Sequence, residues 1–190
     1  MAEKKRLLIV AHAPSPNTRK MVEAVLAGAR APEIEGVDAV HLPPLDAGPE
    51  DVLTAQAVIL GTTENLGYMS GALKDFFDRS YYPCLDKTDA LPCALYIRAG
   101  LDGTGTKRAV ESVVTGLRWK AVREPLLCRG EWREDWPNAR SSACSWPPAS
   151  KPGCSDEKRG LSPFHLVDDD QFARRGAEAF AARWRDGEGF

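Results

Sequence analysis

Leu7-Leu8-Ile9-Val10-Ala11 is apolar at five successive positions, so a strand built from it has no face to offer water. Such a strand has to be covered on both sides, as in a parallel sheet with helices packed on each face. The chain that follows repeats this theme. From Thr18 to about Arg30, the residues Met21, Val22, Val25, Leu26 and Ala29 keep helical spacing, with Asn17 or Thr18 available as N-cap. Val37 to Leu42 predicts a second strand, and Pro49, Glu50 and Asp51 open a short helix in a way that suits a first turn. Ala57 to Leu60, ended by Gly61, predicts a third strand. After a polar loop, Ser70 caps a helix that carries Leu73, Phe76 and Phe77 and runs to about Arg79. Leu91 to Ile97 predicts a fourth strand, 99–105 a Gly-rich turn, Ala109, Val110, Val113, Val114 and Leu117 a fourth helix, and Val122 to Cys128 a fifth strand. Further on, Ala173, Ala177, Phe180, Ala181 and Trp184 repeat at helical spacing behind Asp168, Asp169 and Asp170.

Alternation of strand and helix implies right-handed crossovers. The expected fold class is therefore α/β, a doubly wound five-stranded parallel sheet with helices on both faces, in a single domain over 1–190. Sheets of this kind bind ligands beyond the carboxyl ends of their strands, so the loops of interest are 11–18, 61–71 and 98–106. One stretch breaks the rhythm. Residues 129–167 hold Trp132, Trp136, Trp146, Cys144, Cys154 and prolines at 137, 147, 148, 152 and 163, with almost no periodic apolar pattern. So long an irregular connection is a functional lid, a binding loop or a disordered insert.

Charge and cysteine usage exclude several classes. With 25 Lys plus Arg against 27 Asp plus Glu, the net charge is −2, which gives neither the basic surface of a nucleic-acid binder nor the acidic excess of a steered electron carrier. No apolar run approaches the ~18 residues of a membrane span. Lys4-Lys5-Arg6 ahead of the first apolar run has the look of a signal peptide, yet the run stops at His12 and Pro14, Pro16, Arg19 and Lys20 follow without a small-residue cleavage site. A buried first strand is the better reading. Five cysteines without a Cys-x-x-Cys pair fit neither a disulfide framework nor a zinc site. A reducing cytoplasm and no metal are expected.

The first loop, Ala11-His12-Ala13-Pro14-Ser15-Pro16-Asn17-Thr18, lacks Gly-x-Gly-x-x-Gly and Gly-Lys-Ser/Thr, which excludes a dinucleotide turn and a P-loop there. Ala11-His12 and Gly61-Thr62 stand where a phosphorelay receiver needs carboxylates, and no cysteine precedes Cys84 to serve as a phosphatase nucleophile. What the loop does offer is Ser15, Asn17 and Thr18 just before a helix N-terminus, a place that favours a phosphate.

Ser15-Pro16-Asn17-Thr18 resembles the phosphate loop of the flavodoxin-like FMN proteins. Gly61-Thr62-Thr63-Glu64-Asn65-Leu66-Gly67-Tyr68-Met69-Ser70-Gly71-Ala72-Leu73-Lys74-Asp75-Phe76-Phe77-Asp78-Arg79 strongly resembles the third-strand loop and helix of their NAD(P)H-dependent FMN reductase and quinone reductase branch. Arg98-Ala99-Gly100-Leu101-Asp102-Gly103-Thr104-Gly105 is similar to that family's third cofactor loop, so the resemblance covers residues 6 to about 128 and the last helix, and leaves 129–167 without a counterpart.

The resemblance implies a flavodoxin-like fold that binds FMN and takes NAD(P)H as co-substrate. Ser15, Asn17 and Thr18 would hold the FMN phosphate. Thr62, Thr63, Glu64, Asn65 and Gly67 would meet the polar edge of the isoalloxazine, Tyr68 or Met69 would pack near the ring, and Ala99, Gly100, Gly103 and Thr104 would approach its other edge. No residue is expected as catalytic acid, base or nucleophile, because the flavin carries the chemistry. Pro14 and Pro16 depart from the pattern by removing two amide donors, for which His12 would compensate as a cation. Each residue has a plainer reading: helix capping for Ser15, Asn17 and Thr18, anchoring of a helix entry for Tyr68 and Met69, a simple turn for the glycines, and a solvated carboxylate for Glu64.

The implied activity is cytoplasmic transfer of electrons from NAD(P)H to a quinone, a flavin or a similar small-molecule acceptor, by a homo-oligomer without nucleic-acid or membrane partners. A flavodoxin-type electron carrier and a non-catalytic interaction protein that has lost the flavin are the alternatives.

Overall fold

The computed structural model describes residues 4–129 apart from 32, 33 and 35. In order, the elements are β1 (Lys5–Ala11), α1 (Pro16–Ala29), β2 (Val37–Leu42), α2 (Pro49–Leu53), β3 (Ala57–Asn65), β4 (Tyr68–Met69), α3 (Gly71–Cys84), β5 (Pro92–Arg98), α4 (Thr104–Gly116), β6 (Lys120–Ala121) and β7 (Leu126–Cys128). The expected α/β class is what forms. The parallel sheet runs β2-β1-β3-β5, and both β6 and β7 add to the outer edge of β5.

Strand periodicity explains why two helical layers are needed. Leu7, Ile9 and Ala11 of β1 join Met21, Val22, Val25 and Ala29 of α1 in one buried cluster. Leu8 and Val10 join Leu73, Phe76 and Phe77 of α3 and Val110 and Val114 of α4 in the other. Alternate residues of one strand thus feed opposite cores, and each large side chain so buried contributes roughly 2–3 kcal/mol. The chain leaves β1 to make β2 on one side and returns to make β3 on the other. The strand order therefore reverses at β1, and the carboxyl ends of β1 and β3 flank a topological switch point.

Several boundaries differ from the sequence reading. Helix α1 starts at Pro16 with Ser15 as N-cap, not at Thr18 capped by Asn17 or Thr18; proline is pre-organised for the first helical position and loses nothing there by lacking an N–H. Strand β3 does not end at Gly61. It continues to Asn65 because Gly61, Thr62 and Thr63 pair with Tyr96, Ile97 and Arg98, and then it folds back as a hairpin in which Glu64 and Asn65 oppose Met69 and Tyr68. The connecting Leu66 and Gly67 both have positive φ, 53° and 73°, as a two-residue hairpin turn of the primed kind requires. Helix α3 runs past Arg79 to Cys84 despite Pro83, because Ser80 and Cys84 extend the face that Phe76 and Phe77 bury. Of the expected fifth strand, Val122 to Cys128, only Leu126–Cys128 forms, as β7; β6 pairs just ahead of it, and the stretch between them ends in Pro125, which has no N–H for a ladder. The irregular stretch beyond Arg129 and the expected helix around 173–184 lie outside the described residues.

Among the described residues no helix is long and apolar enough to cross a membrane, and no group of three or more His, Cys, Asp or Glu is placed to hold a metal. Cys84, Cys93 and Cys128 are buried and form no disulfide among the described residues. Burial pushes the Cys93 thiol up to about 12 and raises that of Cys84, which keeps both protonated.

Candidate cofactor-binding site

Three loops meet at the carboxyl edge of the sheet. The first follows β1, where the His12 N–H donates to Gly61 O at 2.9 Å and so extends the ladder one residue beyond the strand. His12 is partly exposed, yet its Nδ1 is buried with no hydrogen-bond partner among the described residues. Burial lowers its pKa below the ordinary histidine value, which favours the neutral ring and works against the expected cation. Ser15 and Thr18 spend their hydroxyls on each other. Thr18 N–H donates to Ser15 Oγ at 3.3 Å, Ser15 N–H donates to Thr18 Oγ1 at 2.9 Å, and the two hydroxyl oxygens lie 3.0 Å apart. This reciprocal capping box buries Thr18 and leaves Asn17, at the second helical position, with its side chain exposed.

The second loop is the β3–β4 hairpin. Thr62 is 1% exposed, and its Oγ1 accepts the Ser70 N–H at 3.0 Å and sits 3.2 Å from Ser70 Oγ, which in turn accepts Leu73 N–H to cap α3. Its side chain therefore holds the start of α3. Thr63 Oγ1 is buried with no partner among the described residues. Met69 is 2% exposed and packs in the core with Leu73 and Phe76, whereas Tyr68 is 44% exposed, so Tyr68 is the one of the pair with a face to offer a planar ligand. Asn65 and Leu66 are exposed at the tip.

The third loop follows β5. Ala99 is buried and its N–H donates to Cys128 O at 2.9 Å, while Gly100 is exposed, and a Cβ placed on it would meet only Glu64 O, at 3.9 Å. Gly103, with φ 75°, is the N-cap of α4. Thr104 is exposed and its N–H donates to Asp102 Oδ1 at 2.9 Å; the hydrogen bonds from Thr104 hold the Asp102 carboxyl below its ordinary pKa. Arg129 donates to Asp102 O at 2.6 Å, so the chain comes back to this loop after β7.

The second and third loops are joined. Glu64 accepts the N–H groups of Leu101 and Gly103, at 2.6 and 3.1 Å. At the hairpin tip, Gly67 O packs so closely on Gly105 that a Cβ there has no room. The first and second loops meet through His12 and Gly61. All the candidate cofactor residues thus lie in or beside these three loops, although Thr62 and Met69 face the core and Ser15 and Thr18 face each other.

Sequence reasoning passed over Tyr96. Its ring lies across Gly61 on the α1 side of the sheet, 5% exposed, with a hydroxyl that has no partner among the described residues, and burial pushes its pKa up. A glycine between Leu60 and Thr62 in a strand is the available signal, since it marks a place where something bulky approaches the backbone.

The fold is flavodoxin-like. The chain is 33% identical over 113 residues to a flavodoxin of Aquifex aeolicus (strain VF5), a match covering 59% of this chain and 60% of that protein's length. The structure of a flavodoxin from the domain Archaea superposes with a TM-score of 0.65 at 14% identity, over 95% of this chain and 99% of the other. An apo NADH:FMN oxidoreductase superposes with a TM-score of 0.54 at 16% identity, over 66% of this chain and 76% of the other. No protein-family model matches the chain.

Proposed function

We propose that this chain binds FMN across the three loops and transfers electrons, acting as an oxidoreductase that draws on NAD(P)H and delivers to a quinone, a flavin or a similar small acceptor. The observation that carries this reading is the joined pair of second and third loops, which presents open backbone at Gly67 and Gly100 and, on the hairpin, the exposed side chain of Tyr68. A flat, partly polar ring needs such a surface, because the absence of side chains lets it approach main-chain donors and acceptors.

The residues present fit FMN, with some roles shifted. Thr63 Oγ1 and His12 Nδ1 are buried polar atoms without a protein partner, the kind of group a bound molecule satisfies. Asn17, exposed in the first turn of α1, and the main-chain N–H groups around it would hold the phosphate at the positive end of the helix dipole. Ser15 and Thr18 would shape that turn, and Pro14 and Pro16 would leave it fewer donors. When bound, FMN supplies the redox chemistry; the protein orients it, limits its contact with water and adjusts its electrostatics.

Two names among the similar proteins support the two forms of this reading. The NADH:FMN oxidoreductase neighbour supports direct use of a nicotinamide, and the flavodoxin relative supports a carrier reduced by another protein. A net charge of −2 weighs toward the first, since it supplies little steering field for a protein partner. The test is anaerobic addition of NADH or NADPH to the FMN-loaded chain. Bleaching of the flavin's visible absorbance with no other protein present is the expected result. A flavin that dithionite bleaches and neither nicotinamide does would overturn the oxidoreductase form and leave the carrier.

A further inference from the structure

Glu64 was expected at the polar edge of a flavin, but its carboxylate is turned to the third loop. Oε2 accepts the Leu101 N–H and Oε1 the Gly103 N–H, contacts that span 37 and 39 residues of sequence. Gly103 is the N-cap of α4, a 13-residue helix whose N-cap has no side chain to offer, so the negative charge of Glu64 lies where the helix dipole is positive. Hydrogen bonds to an ionised acceptor are about twice as strong as neutral ones. The same two segments touch again where Gly67 O packs on Gly105. Hairpin and third loop are therefore held at two points, one electrostatic and one steric.

We propose that Glu64 is a positioning residue, a latch that sets the second and third loops at the separation the cofactor requires. The inference rests on the FMN reading above and deepens it. Without the carboxylate, the Leu101 and Gly103 amides turn to water, and the segment between Ala99 and Thr104, which contains two glycines, samples other conformations. FMN must then bear the ordering of that segment on binding, so its affinity falls by the fraction of time the loop is correctly placed. Glutamine in place of Glu64 keeps one acceptor oxygen but faces the other N–H with an NH2 group, so it restores only part of the latch.

The experiment compares wild type, Glu64→Gln and Glu64→Ala in the full chain, by FMN titration and by amide hydrogen exchange of the apoprotein. The latch predicts FMN binding weakened on the order of tenfold to a hundredfold in Glu64→Ala and by a few-fold in Glu64→Gln. It also predicts faster exchange confined to Leu101 and Gly103, with the amides of Leu73 and Ile97 unchanged as a measure of the intact core. Wild-type FMN affinity in Glu64→Ala, or unchanged exchange at Leu101 and Gly103, would overturn the latch while leaving the FMN reading standing. Failure of the wild-type chain to bind FMN would instead overturn that reading, and the inference with it.

Discussion

Gly105→Ala should lower FMN affinity at least tenfold while the sheet and its two cores stay folded. In an ordinary helix this substitution is favourable by about 1 kcal/mol. Here the new Cβ would lie inside the contact distance of the Gly67 carbonyl oxygen. Both sides of that contact are backbone, so no rotamer relieves it, and either the first turn of α4 or the hairpin tip has to move. The tip is the softer element, being a two-residue turn with positive φ at Leu66 and Gly67. Its displacement would pull Glu64 from Leu101 and Gly103 and separate the two loops at the place where the flavin would lie. The check is FMN titration together with chemical denaturation. Tenfold weaker binding with the unfolding midpoint nearly unchanged is expected, and wild-type binding would show that the close packing of Gly67 on Gly105 does not set the site.

Gly61→Ala should destabilise the whole domain, by about 1–3 kcal/mol as overpacking of a close-fitting core does. A Cβ at position 61 would fall within the Tyr96 ring, 2.7 Å from Cε1 and nearer still to the end of the phenol. Tyr96 is 5% exposed, and Gly61 lies in the middle of the sheet between Ala11 and Tyr96, so neither partner has space to yield. The cause can be isolated by a second substitution. Tyr96→Leu should recover much of the loss in the double variant, a coupling that a double-mutant cycle in urea reads directly. Tyr96→Phe alone should leave stability unchanged or raise it by about 1 kcal/mol, because the hydroxyl it removes is buried without a partner. Additive effects of Gly61→Ala and Tyr96→Leu would contradict this account.

Much of the fold is legible from local pattern. Leu7 to Ala11 is apolar on both faces, Met21, Val22 and Val25 mark one buried stripe, and Ser70 caps α3 as its position before Leu73 suggests; all depend on neighbours within a few residues. What escapes is set by partners far along the chain. Residues 61 to 65 read as a polar loop, yet pairing of 61–63 with β5 and of 64 and 65 with β4 makes them a strand, and nothing local announces that Thr62 faces inward to hold Ser70. Leu66 at positive φ is hidden in the same way, because β-carbon strain there is offset by hairpin pairing on both sides. The start of α1 was closer to hand. Ser15 followed by Pro16 already says N-cap and first helical residue, and Thr18 three residues later completes the box.

The same division runs through the candidate site. The three loops are found by their place after apolar strands and by their Gly, Ser, Thr and Asn content. Which side chains stay free is a tertiary matter. Glu64 looks like a solvated carboxylate until Leu101 and Gly103 arrive from 37 and 39 residues away. Tyr68 and Met69 are adjacent and equally plausible beside a ring, and the core takes Met69 because β4 alternates its faces.

The most direct test of the central claim is titration of the purified apoprotein with FMN, followed by flavin fluorescence and visible absorbance, with Asn17→Ala and Thr18→Ala alongside. Saturable binding of one FMN per chain is predicted, weakened by Asn17→Ala through a lost phosphate contact and by Thr18→Ala through a loosened first turn of α1. Absence of saturable binding, in a chain shown by circular dichroism to be folded, would contradict it.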